Sequence, residues 1–197
     1  MPVSCFIWCN CFQIPEGQPK LTKAVLFDLG DTLVSEESVG TKHTSEADLE
    51  KVPFVDEVLQ KIRGKYKLAV VTNTSVSEEK DVRKALEKVG LEAYFDVIVT
   101  SVDVGHEKPH EKIFRVALKK LGVKANEAIM VGNRIKTDVL GANRLGIKTI
   151  YFKWNDRYPE KADSPLEKPN YTISSLKELP GILSDLENQE RDKRKGS

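Results

Sequence analysis

The chain has 197 residues, of which 40% are hydrophobic and 31% charged, and its formal net charge at pH 7 is +1. This composition is typical of a globular domain and excludes a disordered chain. The near balance of 31 basic and 30 acidic residues gives no electrostatic reason to expect a nucleic-acid or lipid-surface partner. No apolar run approaches the ~20 residues of a membrane helix, so the expected location is cytoplasmic.

Residues 1–20 are predicted to form an N-terminal extension that holds all three cysteines, Cys5, Cys9 and Cys11. The extension lacks the basic leader and small-residue cleavage site of a signal peptide. Three cysteines are possible soft-metal ligands, but no fourth ligand is evident. An accessory segment, or a leader added by an upstream start codon, is therefore the preferred interpretation, and no disulfide framework is expected in the rest of the chain.

Short apolar runs follow from residue 24 onward. They are too short for helices and rich in Val and Ile, which is typical of strands buried on both faces. The predicted strands are AVLF (24–27), LAVV (68–71), VIV (97–99), AIMV (128–131), TIYF (149–152) and a late YTI (171–173).

Amphipathic stretches alternate with these strands. Apolar residues recur at helical spacing over 55–62, 82–89, 113–121 and 139–145, and a last helix is predicted over 175–187. Gly90, Gly122 and Gly146 each follow such a stripe, as C-cap glycines do. The alternation predicts one α/β domain over 21–187, a doubly wound parallel sheet with helices on both faces, followed by a polar, frayed tail over 188–197.

Polar residues cluster where the predicted strands end. Ligands of open parallel sheets bind at these carboxyl ends, near the point where the strand order reverses. The residues found there are Asp28 after the first strand, Thr72 and Asn73 at the end of the second, Lys108 in the loop after the third, and Asn133 and Asp138 after the fourth.

This set of side chains predicts phosphoryl chemistry at a metal site. Two carboxylates can hold Mg²⁺, and a carboxylate attacks phosphorus when a metal screens its charge. Lys108, the Thr72 hydroxyl and backbone N–H groups are suited to the phosphoryl oxygens. Taken singly, each residue also has a structural interpretation as a helix cap, a turn former or a solvated lysine. Their combination at four strand ends favours a shared site.

A resemblance to the haloacid dehalogenase-like (HAD) hydrolase superfamily is carried by DLGDTL (28–33), Thr72, Lys108-Pro109 followed by HEKIF, and VGNRIKTDVLGANRLGIKTI (131–150). It extends over about residues 22–180. It implies that Asp28 attacks the substrate and forms an aspartyl intermediate, and that Thr72 hydrogen-bonds the transferred phosphoryl group. It also implies that Lys108 neutralises the charges of the nucleophile and the phosphate.

The resemblance also implies a Mg²⁺ cofactor. The implied ligands are Asp28, the Gly30 carbonyl, Asp138 and the residue at position 133. Three further residues are expected to support substrate binding: Thr32, Asn73 and Asp31.

Two positions depart from the family pattern. Phosphatases of this type usually carry a second Asp, a general acid, where this chain has Gly30. The neighbouring Asp31 has two interpretations, either reaching the leaving group or capping the loop. Asn133 stands where Asp is frequent, which keeps an oxygen acceptor but removes a charge.

No cap domain is expected. Only the twenty residues 34–53 separate the first strand from the next helix, and one helix and one strand fill the interval from Thr72 to Lys108. An open crevice admits bulky phosphorylated substrates or is closed by a second copy in a homo-oligomer. Trp154, Arg157 and Tyr158, in the long loop after the fifth strand, either line the rim or pack as an extension of that strand.

The sequence therefore predicts a Mg²⁺-dependent hydrolase, most simply a phosphatase with an aspartyl-phosphate intermediate. The alternative is a weak or inactive relative that binds a phosphorylated ligand or a protein partner. Gly30 and Asn133 favour the alternative, whereas Asp28, Thr72, Lys108 and Asp138 favour the enzyme.

Overall fold

The centre of the molecule is a six-stranded parallel sheet with the strand order β3-β2-β1-β4-β5-β6. The structure, a computed structural model, describes residues 22–35 and 43–195. The strands are β1 (Ala24–Phe27), β2 (Lys67–Thr72), β3 (Val97–Thr100), β4 (Ala128–Gly132), β5 (Lys148–Phe152) and β6 (Tyr171–Ile173). All six predicted strands are confirmed, because each apolar run lies within the corresponding strand.

Helices connect the strands. They are α1 (Val55–Ile62), α2 (Glu79–Lys88), α3 (Ser101–Val104), α4 (Glu111–Leu121), α5 (Leu140–Arg144) and α6 (Leu179–Lys195). The predicted stripe over 55–62 is confirmed as the buried face of α1, and the stripe over 113–121 as the buried face of α4. Gly122 ends α4 with a φ of 67°, as predicted for a C-cap glycine.

The core has two layers, one on each face of the sheet. Side chains of a strand alternate between the faces, so Val25 and Phe27 of β1 join one cluster and Ala24 and Leu26 the other. Helices α1, α2 and α6 contribute to the first cluster, and α4 and α5 to the second. This arrangement confirms the predicted doubly wound α/β fold.

Close packing of α5 against α4 fixes the loop that carries Lys108. A Cβ atom on Gly141 of α5 would lie 2.5 Å from the Phe114 ring of α4 and 3.0 Å from the Cα atom of Pro109. Only a residue without a side chain permits this approach. The backbone next to Lys108 is therefore held against α5.

Two helix predictions need correction. The last helix does not end at residue 187 but continues to Lys195. The added turns are held by a charged residue: Glu190 accepts hydrogen bonds from the Thr22 backbone N–H at 3.1 Å and from Lys148 Nζ at 2.7 Å. In addition, the predicted helix around Val139 begins as a π-helical turn, Ile135–Val139, before α5.

The described residues between β1 and α1 form turns and one 3₁₀ turn, Thr44–Glu46, and build no additional domain. The segment from β2 to Lys108 consists of α2, a 3₁₀ turn, β3 and α3. The predicted N-terminal extension with its cysteines, and residues 36–42, lie outside the described residues. Within residues 22–35 and 43–195, no helix has the length and apolar character needed to cross a membrane.

Candidate active site

The carboxyl ends of four neighbouring strands meet at one edge of the sheet. Phe27 of β1 is in register with Val70 of β2 and with Val131 of β4, so the residues that follow these strands emerge side by side. The chain runs from β1 outward to β3 and then returns to β4 on the other side of β1. Asp28 therefore lies at the point where the strand order reverses, where ligands bind in sheets of this type.

Lys108 joins the two predicted carboxylates. Its Nζ atom donates to Asp28 Oδ1 at 2.6 Å, to Asp138 Oδ1 at 2.7 Å and to the Val71 carbonyl oxygen at 2.8 Å. These contacts use all three N–H groups of the ammonium. The three charged side chains are largely removed from solvent, with residue exposures of 4% for Lys108, 8% for Asp28 and 1% for Asp138. The fold thus gathers residues that are 30 and 80 positions apart.

Burial and charge shift two pKa values in this cluster. Burial raises the pKa of Asp138 from 3.8 to about 6, because Lys108 only partly offsets the loss of solvent and Asp28 adds a like charge. For Lys108, burial disfavours the charged form, but Asp138 and Asp28 outweigh it and raise the pKa of the ammonium. The lysine is therefore a cation, and the site is a compact set of opposed charges.

The turn after β4 positions the Asp138 carboxylate next to Lys108. The second oxygen, Asp138 Oδ2, accepts a hydrogen bond from the Arg134 backbone N–H at 3.0 Å. Gly132, the last residue of β4, leaves the space for this carboxylate, since a Cβ atom there would lie 2.3 Å from Asp138 Oδ2. The glycine and the π-helical turn together define the position of Asp138.

Asn73 holds the loop that presents Lys108. Its Oδ1 accepts from the Lys108 backbone N–H at 2.7 Å, and its Nδ2 donates to the Lys108 carbonyl at 3.1 Å. The sequence predicted a substrate contact for Asn73 and missed this positioning contact. Thr72 is buried at the end of β2, with its hydroxyl 3.4 Å from the Asn73 carbonyl.

The turn after Asp28 carries the other predicted residues. Gly30 forms an isolated β-bridge with Val34 within the turn. Asp31 is fully buried, has a left-handed φ of 51°, and forms an ion pair with Arg157 Nε at 2.7 Å. Thr32 is also fully buried, and its hydroxyl has no hydrogen-bond partner within the described part of the chain. Of the two interpretations of Asp31, the geometry favours the structural one over reach to a leaving group.

Trp154, Arg157 and Tyr158 pack over the two carboxylate-bearing loops. The Trp154 indole donates to the Asp31 carbonyl at 2.7 Å, and its ring stacks on Phe152 of β5. The Tyr158 ring lies 3.8 Å below the guanidinium of Arg134. The predicted strand extension is therefore wrong, because β5 ends at Phe152 and the three residues lie in the loop beyond it.

Oxygen donors at this edge fit Mg²⁺. Among residues 22–35 and 43–195, no three His, Cys, Asp or Glu side chains are grouped to hold a metal. A site here would therefore use two carboxylates and neutral oxygens. Asn133 is almost fully buried, and its Oδ1 has no hydrogen-bond donor within the described structure, as expected of an acceptor that faces a hydrated cation. The ligands predicted from the sequence, Asp28, the Gly30 carbonyl, Asn133 and Asp138, would offer oxygen atoms only, which Mg²⁺ prefers.

Comparisons with known proteins agree with this geometry. The chain is 34% identical over 142 residues to a glyceraldehyde 3-phosphate phosphatase of Pyrococcus furiosus, spanning 72% of this chain and 56% of the relative. It is 30% identical over 167 residues to a glyceraldehyde 3-phosphate phosphatase of Methanocaldococcus jannaschii, spanning 84% of this chain and 71% of the relative. The chain thus spans little more than half the length of the first of these proteins.

A solved structure extends the likeness to the fold. The crystal structure of a HAD phosphatase from Thermococcus onnurineus superimposes with a TM-score of 0.68 at 25% identity, covering 82% of this chain and 98% of the other.

The model of one family, the haloacid dehalogenase-like hydrolases, matches residues 31–152. The match includes Thr72, Lys108, Asn133 and Asp138 but begins after Asp28, whose place in the site rests on the strand geometry. Together with the relatives and the fold, it confirms the resemblance seen in the sequence: this chain belongs to the haloacid dehalogenase-like hydrolase family.

Proposed function

We propose that this chain is a Mg²⁺-dependent phosphatase in which Asp28 attacks the phosphorus of a phosphorylated substrate. The observation that carries the proposal is the Lys108 ammonium, which contacts Asp28 at 2.6 Å and Asp138 at 2.7 Å where the strand ends converge. Family membership and the names of the two relatives support phosphate hydrolysis as the reaction class.

The proposed reaction has two steps. The Asp28 carboxylate forms a bond to phosphorus while the bond to the leaving oxygen breaks and its electron pair leaves with that oxygen. Water then attacks the aspartyl phosphate, which releases phosphate and restores the carboxylate. Lys108 balances the negative charge near Asp28, and we assign the Thr72 hydroxyl to a phosphoryl oxygen.

The proposed cofactor is Mg²⁺, held by Asp28, the Gly30 carbonyl, Asn133 and Asp138. When bound, the ion supplies screening of the carboxylates and polarisation of the phosphoryl oxygens. Asn133 donates an oxygen without a charge, so we expect weaker Mg²⁺ binding than an aspartate at that position would give.

The proposed substrates have leaving groups that depart without a proton, such as phenolates and acyl phosphates. Gly30 has no side chain to donate one, and the Asp31 carboxylate is paired with Arg157. Loss of general acid catalysis typically slows a reaction by about 10²–10⁴-fold. The leaving group therefore decides how much of the rate is retained.

A second candidate function is binding without efficient turnover. Gly30 and Asn133 favour it, because both replace a carboxylate of the family pattern. In that case the site holds a phosphorylated ligand or a protein partner. A bulky substrate, or a second copy of the chain over the crevice, is compatible with either function and stays a prediction.

The test is hydrolysis of p-nitrophenyl phosphate, whose phenolate leaves readily. We expect turnover with Mg²⁺, loss of turnover in EDTA, and recovery when Mg²⁺ is added back in excess. Asp28→Asn is the matched control, since it keeps the size of the side chain and removes the nucleophile. Equal activity in the wild type and in Asp28→Asn would show a contaminant and would reject the enzyme. Phosphate-dependent thermal stabilisation without turnover would favour the binding function.

A further inference from the structure

The segment 153–164, called the strap below, lies between β5 and the 3₁₀ turn Pro165–Glu167 and contacts both carboxylate-bearing loops. At one end, Trp154 and Arg157 contact Asp31, in the turn that follows Asp28. At the other end, Glu160 contacts the turn that carries Asp138. The strap therefore forms a second connection between loops that Lys108 already joins.

The Asp31 end of the strap holds an unusual backbone conformation. Asp31 has a φ of 51°, in the left-handed region that L-residues other than glycine rarely occupy. Its backbone N–H donates to the Val34 carbonyl at 2.6 Å, and its own carbonyl accepts from the Trp154 indole at 2.7 Å. Such conformations persist only where surrounding contacts determine them. The turn also has backbone hydrogen bonds of its own, such as the Leu33 N–H to the Leu29 carbonyl at 2.9 Å, and the Trp154 indole adds a contact from the strap.

The Asp31 side chain contacts the strap as well. The Asp31 side chain is fully buried, whereas about a third of the Arg157 side chain is exposed. Arg157 Nε lies 2.7 Å from Asp31 Oδ2. A buried carboxylate that loses its cation carries a large desolvation penalty, which is relieved when the group turns toward water. For Asp31, that movement would disturb the turn that follows Asp28 and includes Gly30.

The Glu160 end of the strap supports Asp138. The Glu160 carboxylate accepts from Arg134 Nε and from the Lys136 backbone N–H, both at 2.8 Å. The Tyr158 ring stacks on the Arg134 guanidinium. The Arg134 backbone N–H is the group that donates to Asp138 Oδ2. The strap therefore contacts both the turn that follows Asp28 and the turn that carries Asp138.

We propose that Arg157 is a positioning residue for the candidate active site: its ion pair with Asp31 locks the turn that places Asp28 and the Gly30 carbonyl relative to Lys108 and Asp138. This inference rests on the proposed function, since its main readout is turnover. It assigns Arg157 no contact with the substrate.

The test compares Arg157→Ala, Arg157→Lys and Asp31→Asn with Arg115→Ala, which removes an arginine from an exposed i,i+4 pair on α4. For p-nitrophenyl phosphate we expect Arg157→Ala to lower kcat by ~10- to 10²-fold, because displacement of a reacting group by about 1 Å has effects of that size, while KM changes less than about threefold. Arg157→Lys should recover part of the loss, and Arg115→Ala should match the wild type.

Two further measurements separate positioning from a general loss of stability. If the residues act as a pair, Asp31→Asn combined with Arg157→Ala should lower kcat no further than Arg157→Ala alone. In a Trp8→Phe background, Trp154 is the only tryptophan, and its emission should shift to the red in Arg157→Ala as the strap loosens.

Equal kcat in Arg157→Ala and Arg115→Ala, or additive losses in the double variant, would overturn the positioning role. If Arg157→Ala does not fold, Asp31→Asn replaces it, and a wild-type kcat in that variant would likewise overturn the role. A wild-type protein without Mg²⁺-dependent turnover would reject the proposed function instead. The Trp154 emission then decides the positioning role, and an unchanged spectrum in Arg157→Ala would reject it.

Discussion

Replacement of Lys108 by methionine is expected to lower kcat for p-nitrophenyl phosphate by about 10²–10³-fold, the usual effect of removing one preorganised electrostatic group from an active site. The same change is expected to lower the free energy of unfolding by about 3–5 kcal/mol at pH 8, because it leaves buried carboxylates without their cation. Methionine keeps an unbranched side chain that is one heavy atom shorter and lacks the ammonium, so the loss reports mainly on the charge and on its three hydrogen bonds.

The stability loss in Lys108→Met should depend on pH. Burial already raises the pKa of Asp138 from 3.8 to about 6, and Lys108 opposes this rise, so the pKa rises further without it. A carboxyl whose folded pKa exceeds its unfolded pKa contributes stability that is fully present below the unfolded value and is lost as the pH rises through the folded value. The variant should therefore lose less stability at pH 5 than at pH 8.

Denaturant unfolding at the two pH values, in EDTA, measures this difference. Lys112→Met is the matched control. Lys112 is exposed on α4, so this substitution makes the same chemical change outside the candidate site. A Lys108→Met protein with the kcat and the unfolding free energy of the control would contradict the assigned role of Lys108.

Gly132→Ala is expected to lower kcat by about 10²-fold through displacement of Asp138. The added Cβ atom would lie 2.3 Å from Asp138 Oδ2 and 2.7 Å from Asp138 Cβ, which is too close for either residue to stay in place. Overpacking of this kind typically lowers stability by about 1–3 kcal/mol. Movement of Asp138 would break its contacts with Lys108 and with the Arg134 backbone.

Gly181→Ala is the matched control for this glycine. Gly181 lies in α6, and an added Cβ atom would meet no atom within 4 Å. Alanine there should raise stability by about 0.4–1 kcal/mol, since it restricts the unfolded chain in a position compatible with a helix. Steady-state kinetics and thermal unfolding of both variants measure these changes in kcat and in stability. Unchanged kcat in Gly132→Ala would mean that Asp138 is not held where its function requires.

Most of the fold could be predicted from the sequence because a parallel sheet covered on both faces needs strands that are apolar throughout. AVLF became β1 with the predicted ends, and AIMV became β4 with one additional residue. The continuation of α6 to Lys195 could not be predicted, because the residues that hold it are charged. Glu190 is buried because the Thr22 backbone N–H and Lys148 bind its carboxylate, and both residues are distant from it in the sequence.

The candidate site was predictable in its main residues for a similar reason. The carboxyl ends of parallel strands lie at the same edge of a sheet, so the sequence alone groups Asp28, Lys108 and Asp138. The supporting contacts were not predictable, since they depend on loop conformation. Asn73 binds the backbone of Lys108, and Trp154 contacts a residue 123 positions away. No local pattern of residues carries such information.

In the proposed mechanism, Asp28 becomes covalently phosphorylated. Acid quenching of a single turnover of p-nitrophenyl phosphate, followed by mass spectrometry of the peptides, tests it directly. The peptide that contains Asp28 should gain the mass of one phosphoryl group in the wild type and should remain unmodified in Asp28→Asn. A phosphoryl group on a different residue, or undiminished turnover in Asp28→Asn, would contradict this mechanism.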